Sequence, residues 1–222
     1  MPLTSSPSSS VPVALGAEFD RQVDVLLQTG YPAAAGLSPA TFAARLQPLK
    51  ARLADLDTGA WAPQGVVPFV LVIGPGLVPV DGAITRVERR GRRGFAVIDA
   101  DDLAGFTPID GVEVPAGDAH LIADVDLGFA TRNVPPEAAL PQIEDRDRSV
   151  LTIDEGVALV TQFPEAVAEN AGFSLVGSRC GDRRVTALWI SKGAPKLGWC
   201  WAGAPHTWLG SASCARRLGA ED

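Results

Sequence analysis

Apolar residues recur along this chain with two different periods. Between Ala14 and Thr29, Phe19, Val23, Leu26 and Leu27 follow helical spacing, and Gly30 with Pro32 closes the segment. Ser38 followed by Pro39 signals the start of a second helix, with Phe42, Leu46, Leu49 and Leu53 along one side. Pro48 inside it predicts a kink or a division into two short helices. The period then changes. Val66 to Ile73 is an unbroken apolar run, the pattern of a strand covered on both faces, and Phe95 to Asp99 and His120 to Val125 predict two more buried strands.

Helical spacing returns further on. Pro135-Pro136-Glu137 starts a short helix through Ile143, and Glu144 to Arg148 reads as a solvated connection. Thr152 to Glu155 fits a capping box, opening a helix from Ile153 to Gln162 that turns Ile153, Val157 and Val160 to a core. Pro164 ends that helix and opens another turn through Asn170, stopped by Gly172. Beyond it lie short runs rich in Trp, Val and Ile: Val185 to Ser191, Leu197 to Trp201 and His206 to Ser213, separated by Gly193-Ala194-Pro195 and Gly203-Ala204-Pro205. With Phe173 to Gly177 they predict four strands of an antiparallel meander. The fold expected is therefore α+β: N-terminal helices, a small mixed sheet, a helical pair and a C-terminal antiparallel meander. Its organisation is a disordered tail over 1–12, a helical and mixed-sheet lobe over 13–150, and a C-terminal lobe over 151–218.

Register decides what the meander can present. Pairing Trp201 with His206 across a four-residue loop sets Trp199 opposite Trp208 and gathers Trp199, Trp201, His206 and Trp208 on one face, with Cys200 pointing away. A three-residue loop would bring Cys200 to the side of His206 instead. Rimmed by Arg183, Arg184, Lys192 and Lys196, such a face is a flat aromatic platform for a planar, anionic or sugar-like small molecule, or for an apolar segment of a partner protein. The competing reading packs the same tryptophans into the core against the helix at 153–162; their exposure separates the two.

Composition narrows the classes. With 222 residues, 46% hydrophobic and 20% charged, the chain can bury a full core. A net charge of −7 argues against nucleic acid as a partner. The Ser- and Pro-rich N-terminus has no basic or apolar leader, and no run is long enough to span a bilayer, so a cytoplasmic location without membrane association is expected. Three widely spaced cysteines fit a reducing compartment. Gly74-Pro75-Gly76 lacks the third glycine of a dinucleotide loop, and Pro79 stands where its helix would begin, so it reads as a turn and no cofactor is predicted. The arginines at 86, 89, 90, 92 and 93 read as a solvated hairpin or helix end. His120, alone on a strand, reads as a hydrogen-bonded structural residue.

An enzymatic alternative uses sulfur. Cys180 lies beside Arg179, Arg183 and Arg184, whose charge would favour its thiolate, with His206 or His120 as base and Asp182 as orienter. Cys180, Cys200, His206 and Cys214 are the right types for zinc, but no two have the usual ligand spacing, and no metal site is predicted.

Leu151-Thr152-Ile153-Asp154-Glu155-Gly156, Gly181-Asp182-Arg183-Arg184-Val185, Leu188-Trp189-Ile190-Ser191, Pro195-Lys196-Leu197-Gly198-Trp199-Cys200-Trp201 and Pro205-His206-Thr207-Trp208-Leu209-Gly210 together resemble the signature of a bacterial domain-of-unknown-function family, number five thousand seven hundred and one. Glu18-Phe19-Asp20 and Val67-Pro68-Phe69 extend the likeness over most of residues 14 to 214. The resemblance implies no activity and no catalytic residue. The function expected is a binding or interaction module using the aromatic face, with the Cys/His enzyme as the alternative.

Overall fold

A computed structural model of the chain describes residues 13–56 and 66–221; the tail expected over 1–12 lies outside the described residues. Helix α1 (Val13–Gln28) buries Leu15, Phe19, Val23 and Leu26 along one stripe. After the single turn α2 (Tyr31–Ala34), α3 (Pro39–Ala51) begins at Ser38, whose Oγ accepts the Thr41 amide at 3.1 Å. Of the two outcomes expected at Pro48, division into two short helices does not occur, and α3 runs through it unbroken. Pro48 lies on the exposed side with Ala44, the residue whose carbonyl loses its helical partner and can turn to water. A 3-10 turn, Arg52–Asp55, ends the segment.

The chain continues through β1 (Val66–Ile73), α4 (Val80–Ile84), and the hairpin of β2 (Glu88–Arg89) and β3 (Arg92–Arg93). Next come β4 (Phe95–Ala96), α5 (Ala100–Ala104), β5 (Thr107–Pro108) and β6 (Ala119–Asp126). Then follow α6 (Pro136–Glu144), β7 (Ser149–Val150), α7 (Ile153–Gln162), β8 (Gly172–Leu175) and β9 (Ser178–Arg179). The chain ends with β10 (Arg184–Ser191), β11 (Ala194–Trp201), β12 (Leu209–Ser211), β13 (Ser213–Cys214) and β14 (Arg216–Leu218). The fold is α+β. Pro164–Ala166 after α7 is only a 3-10 turn, so the expected helical pair has one full member.

Two sheets carry the architecture. In the first, β6 pairs with β1 on one side, Val72 opposite His120, and with β13 and β14 on the other, Arg217 opposite Ile122; β7 follows beyond β13. The last residues therefore close a sheet begun by β1. Its outer edge at β1 is partly covered by α1, whose buried Gln22 donates to the Phe69 carbonyl at 3.1 Å and accepts the Leu71 amide at 2.7 Å.

The second sheet has the order β12-β8-β10-β11-β4. β10 and β11 join through Lys192 and Gly193, both left-handed with φ of 52° and 78°, the conformation that keeps a two-residue hairpin aligned with strand twist. Three strands of the expected meander, β8, β10 and β11, are antiparallel neighbours. The fourth is not where the sequence put it. β12 lies parallel to β8 on the far edge, because the loop before it is held elsewhere: Glu137 N–H donates to the Ala202 carbonyl and Asn133 N–H to that of His206. Trp201 consequently pairs with Arg184 rather than His206, and Trp199 with Thr186.

α7 packs against strands of both sheets and is buried all round except at Asp154. Gly156 brings it directly onto β8, since a methyl group there would fall on the Leu175 side chain. One core joins α1 and α3 to α7 and both sheets. A smaller one gathers Ala139, Ile143, Val150, Val176, Val185 and Ala202.

Candidate functional site

A cavity of about 430 Å³ opens beside the N-terminus of α7. Its walls are the loop after β1, the first turn of α4, α5 with Phe106 behind it, the segment 114–117, and the start of β6. The lining is mostly apolar, including Pro79, Val80, Leu103, Phe106, Val114 and Ile153. Its polar side chains are those of Asp81, Thr107, His120, Thr152 and Asp154, and no lysine or arginine is among them.

His120 reaches this wall from inside the core, with 4% of its side chain exposed. Nε2 lies 3.1 Å from Glu155 Oε1. That oxygen also accepts Arg217 Nε at 2.6 Å, while Oε2 accepts Arg217 Nη2 at 2.8 Å and the Thr152 amide at 2.8 Å. Arg217 is held in turn by Ser149 Oγ at 2.6 Å and the Val150 carbonyl at 2.8 Å. Burial alone would raise the Glu155 carboxyl; the hydrogen bonds and charges of His120 and Arg217 outweigh it and hold the group down at about 2. An ionised Glu155 can only accept, so Nε2 carries the hydrogen and a neutral ring has its lone pair on Nδ1. Nδ1 has no hydrogen-bond partner among the described residues.

Asp154 stands next to this group in the first turn of α7. Burial first, and the neighbouring Glu155 second, push its carboxyl up to about 6. Among the described residues it makes no side-chain hydrogen bond; its own amide and the charge of His120 offset only part of that rise. The other amides of that turn are taken as well: Ile153 N–H by Ser178 Oγ at 3.0 Å and Glu155 N–H by Thr152 Oγ1 at 3.4 Å.

The platform expected from the sequence is divided. The β10–β11 register puts Arg184, Trp199 and Trp201 on one face of the sheet, and Trp189 and Lys196 on the other. Trp199 and Trp201 are 37% and 53% exposed and meet edge to face at 4.8 Å. His206 and Trp208 belong to the opposite group: the His206 ring lies 5.4 Å from that of Trp208, which meets Trp189 at 6.0 Å, and Lys196 Nζ stands 4.8 Å over Trp189. Arg184 is committed to Asp102 at 2.6 Å and Asp182 at 2.7 Å, and Arg183, exposed, lies 3.4 Å from Glu137.

The cysteines are dispersed too. Cys180 Sγ donates to Asp182 Oδ1 at 3.2 Å, and burial together with that carboxylate pushes the thiol up, the reverse of the activation expected from neighbouring arginines. Burial raises Cys200 to about 11 and Cys214 to about 12. Among the described residues neither histidine bonds a cysteine, and no three Cys, His, Asp or Glu side chains lie where they could share a metal ion.

The model of a family of unknown function, DUF5701, matches residues 25–220. The chain belongs to that family. No curated protein and no solved structure matches it. Among the described residues no helix is long and apolar enough to cross a membrane.

All of the cavity and its buried relay, from Gly74 to Arg217, fall inside the stretch that defines the family. In the sequence Glu155 reads only as a helix cap, and His120 as a structural histidine or as a base for Cys180; neither Asp154 nor Arg217 stands out. One signal was available. A capping glutamate that opens an otherwise apolar helix is carried into the core, where its second oxygen needs a donor.

Proposed function

We propose that this chain is a small-molecule-binding protein whose ligand occupies the cavity over His120, with His120 able to exchange a proton with it. One observation carries the reading: a buried histidine, fixed in one tautomer by an ionised carboxylate, lines a cavity of about 430 Å³. That volume lies in the range of roughly 300–1,000 Å³ typical of small-molecule sites. Arg217 keeps Glu155 ionised, Glu155 orients the ring and stabilises its cation, and Nδ1 serves as the base. The test is NMR titration with a fragment library, His206→Gln leaving His120 as the sole histidine signal. Hits should shift that signal and be lost in Ala104→Trp, which narrows the cavity, and in His120→Gln. Hits indifferent to both changes would defeat the reading.

A second use is favoured by the exposed Trp199 and Trp201 beside Arg183: a contact surface for a partner protein, in keeping with the aromatic module expected from the sequence and with a cytoplasmic location. On this reading His206, Trp208, Arg184 and Lys196 brace the sheet rather than touch the partner. Replacing Trp199 and Trp201 by alanine should abolish a partner contact in co-purification and leave fragment binding unchanged; unchanged co-purification would count against it.

A further inference from the structure

The groups facing the cavity sort by what they offer a ligand. The loop after β1, α5 and the segment 114–117 contribute no ionisable side chain; α4 contributes Asp81, β6 His120 and α7 Asp154. The guanidinium behind His120, that of Arg217, is bound to Glu155, Ser149 and Val150, and the one behind Phe106, that of Arg184, is bound to Asp102 and Asp182. A helix N-terminus attracts anions through its free amides. Here the amides of Thr152, Ile153 and Glu155 are bound within the chain, and that of Asp154 faces its own carboxylate. An anionic ligand would find carboxylates and no lysine or arginine, with only the hydroxyls of Thr107 and Thr152 and the His120 ring to meet it. A ligand that donates hydrogen bonds and carries positive charge would find Asp154 without a side-chain hydrogen bond among the described residues, Nδ1 of His120 open to accept, and the exposed Asp81 adding to the field.

Resting on the reading of the cavity as a ligand site, we infer that its ligand is an organic cation: a protonated amine on an apolar body, with Asp154 as its counter-ion and the apolar walls covering the rest. Leu103, Phe106, Val114 and Ile153 provide those walls. The cation gives Asp154 a directly hydrogen-bonded charge partner, where the chain supplies only the more distant charge of His120.

The test uses three probes of one size, benzylamine, benzyl alcohol and benzoate, titrated by calorimetry into the full chain at neutral pH and millimolar concentration. Benzylamine should bind about tenfold or more tightly than the alcohol, the preference a charge-assisted hydrogen bond supplies, and benzoate should bind weakest. Asp154→Asn should bring the amine down to the level of the alcohol, and Asp81→Asn, an exposed change that leaves the core alone, should remove part of the preference. Alcohol or benzoate binding as well as the amine, no amine binding, or a preference that survives Asp154→Asn would overturn the inference. If alcohol and amine bind alike yet both are lost in Ala104→Trp, the cavity reading stands and only the choice of cation falls; if binding persists in Ala104→Trp, the cavity reading falls instead.

Discussion

Glu155 Oε1 receives His120 Nε2 at 3.1 Å inside the core, with neither side chain more than 4% exposed. A carboxylate in such a place is tolerable only while its lone pairs are filled, and Arg217 fills them from the other side. The three residues belong to β6, α7 and β14, so the ion pair ties the last strand to both the first sheet and the central helix.

Glu155→Gln leaves the Arg217 guanidinium buried without its counter-ion and should cost about 3–5 kcal/mol in urea unfolding at neutral pH. Pairing it with Arg217→Met should recover part of the loss, because no lone charge is then left in the core. The sign with pH follows from a folded value near 2 against an ordinary 4.5. The wild-type advantage is fully present above 4.5 and is lost as pH falls toward 2. The gap between wild type and Glu155→Gln should close over that window; a gap that stays constant would contradict the relay.

Asp154 works in the other direction. Its carboxyl is raised from 3.8 to about 6, so the folded state holds a proton that the unfolded chain has released, and stability is lost as pH rises between those values. Asp154→Asn should therefore stabilise the ligand-free protein above pH 6 by on the order of 1–2 kcal/mol, the lost interaction with the helix N-terminus offsetting part of the gain. Below pH 4 the two proteins should unfold alike. A less stable Asp154→Asn protein at neutral pH would show that the carboxylate has a structural partner.

How far the sequence reveals this arrangement depends on the range of the contacts. α7 is legible to the residue because its signals are local: a capping box, apolar positions and Pro164. β1 is legible because an apolar run of that length admits few alternatives. The position of β12 is not, since it is decided by hydrogen bonds from Asn133 and Glu137 to a loop some seventy residues later. The relay is hidden for the same reason: 35 residues separate His120 from Glu155, and 62 separate Glu155 from Arg217. Each also has a sufficient local explanation, as strand residue, helix cap or surface charge.

Gly156 sets the distance between α7 and β8. Alanine there would press on the fully buried Leu175 and should cost about 1–3 kcal/mol, the usual penalty of overpacking. Shortening the neighbour should relieve it, so Gly156→Ala with Leu175→Val ought to be more stable than Gly156→Ala alone. Strictly additive losses in the double-mutant cycle would mean that the helix moves as a body instead.

The two aromatic groups on the second sheet should respond oppositely to truncation. Trp199 and Trp201 are the exposed pair of this sheet and meet edge to face, so replacing both by alanine should change unfolding stability by less than about 1 kcal/mol. Trp189 lies across Gly198, where a methyl group would collide with its ring, and is braced by Trp208 and Lys196. Trp189→Ala should cost about 2–3 kcal/mol, and the Trp189–Trp208 coupling measured by a double-mutant cycle should be about 0.5–1.5 kcal/mol. Equal losses from both groups would make Trp199 and Trp201 part of the packing, and an interaction surface on that face would have to be abandoned.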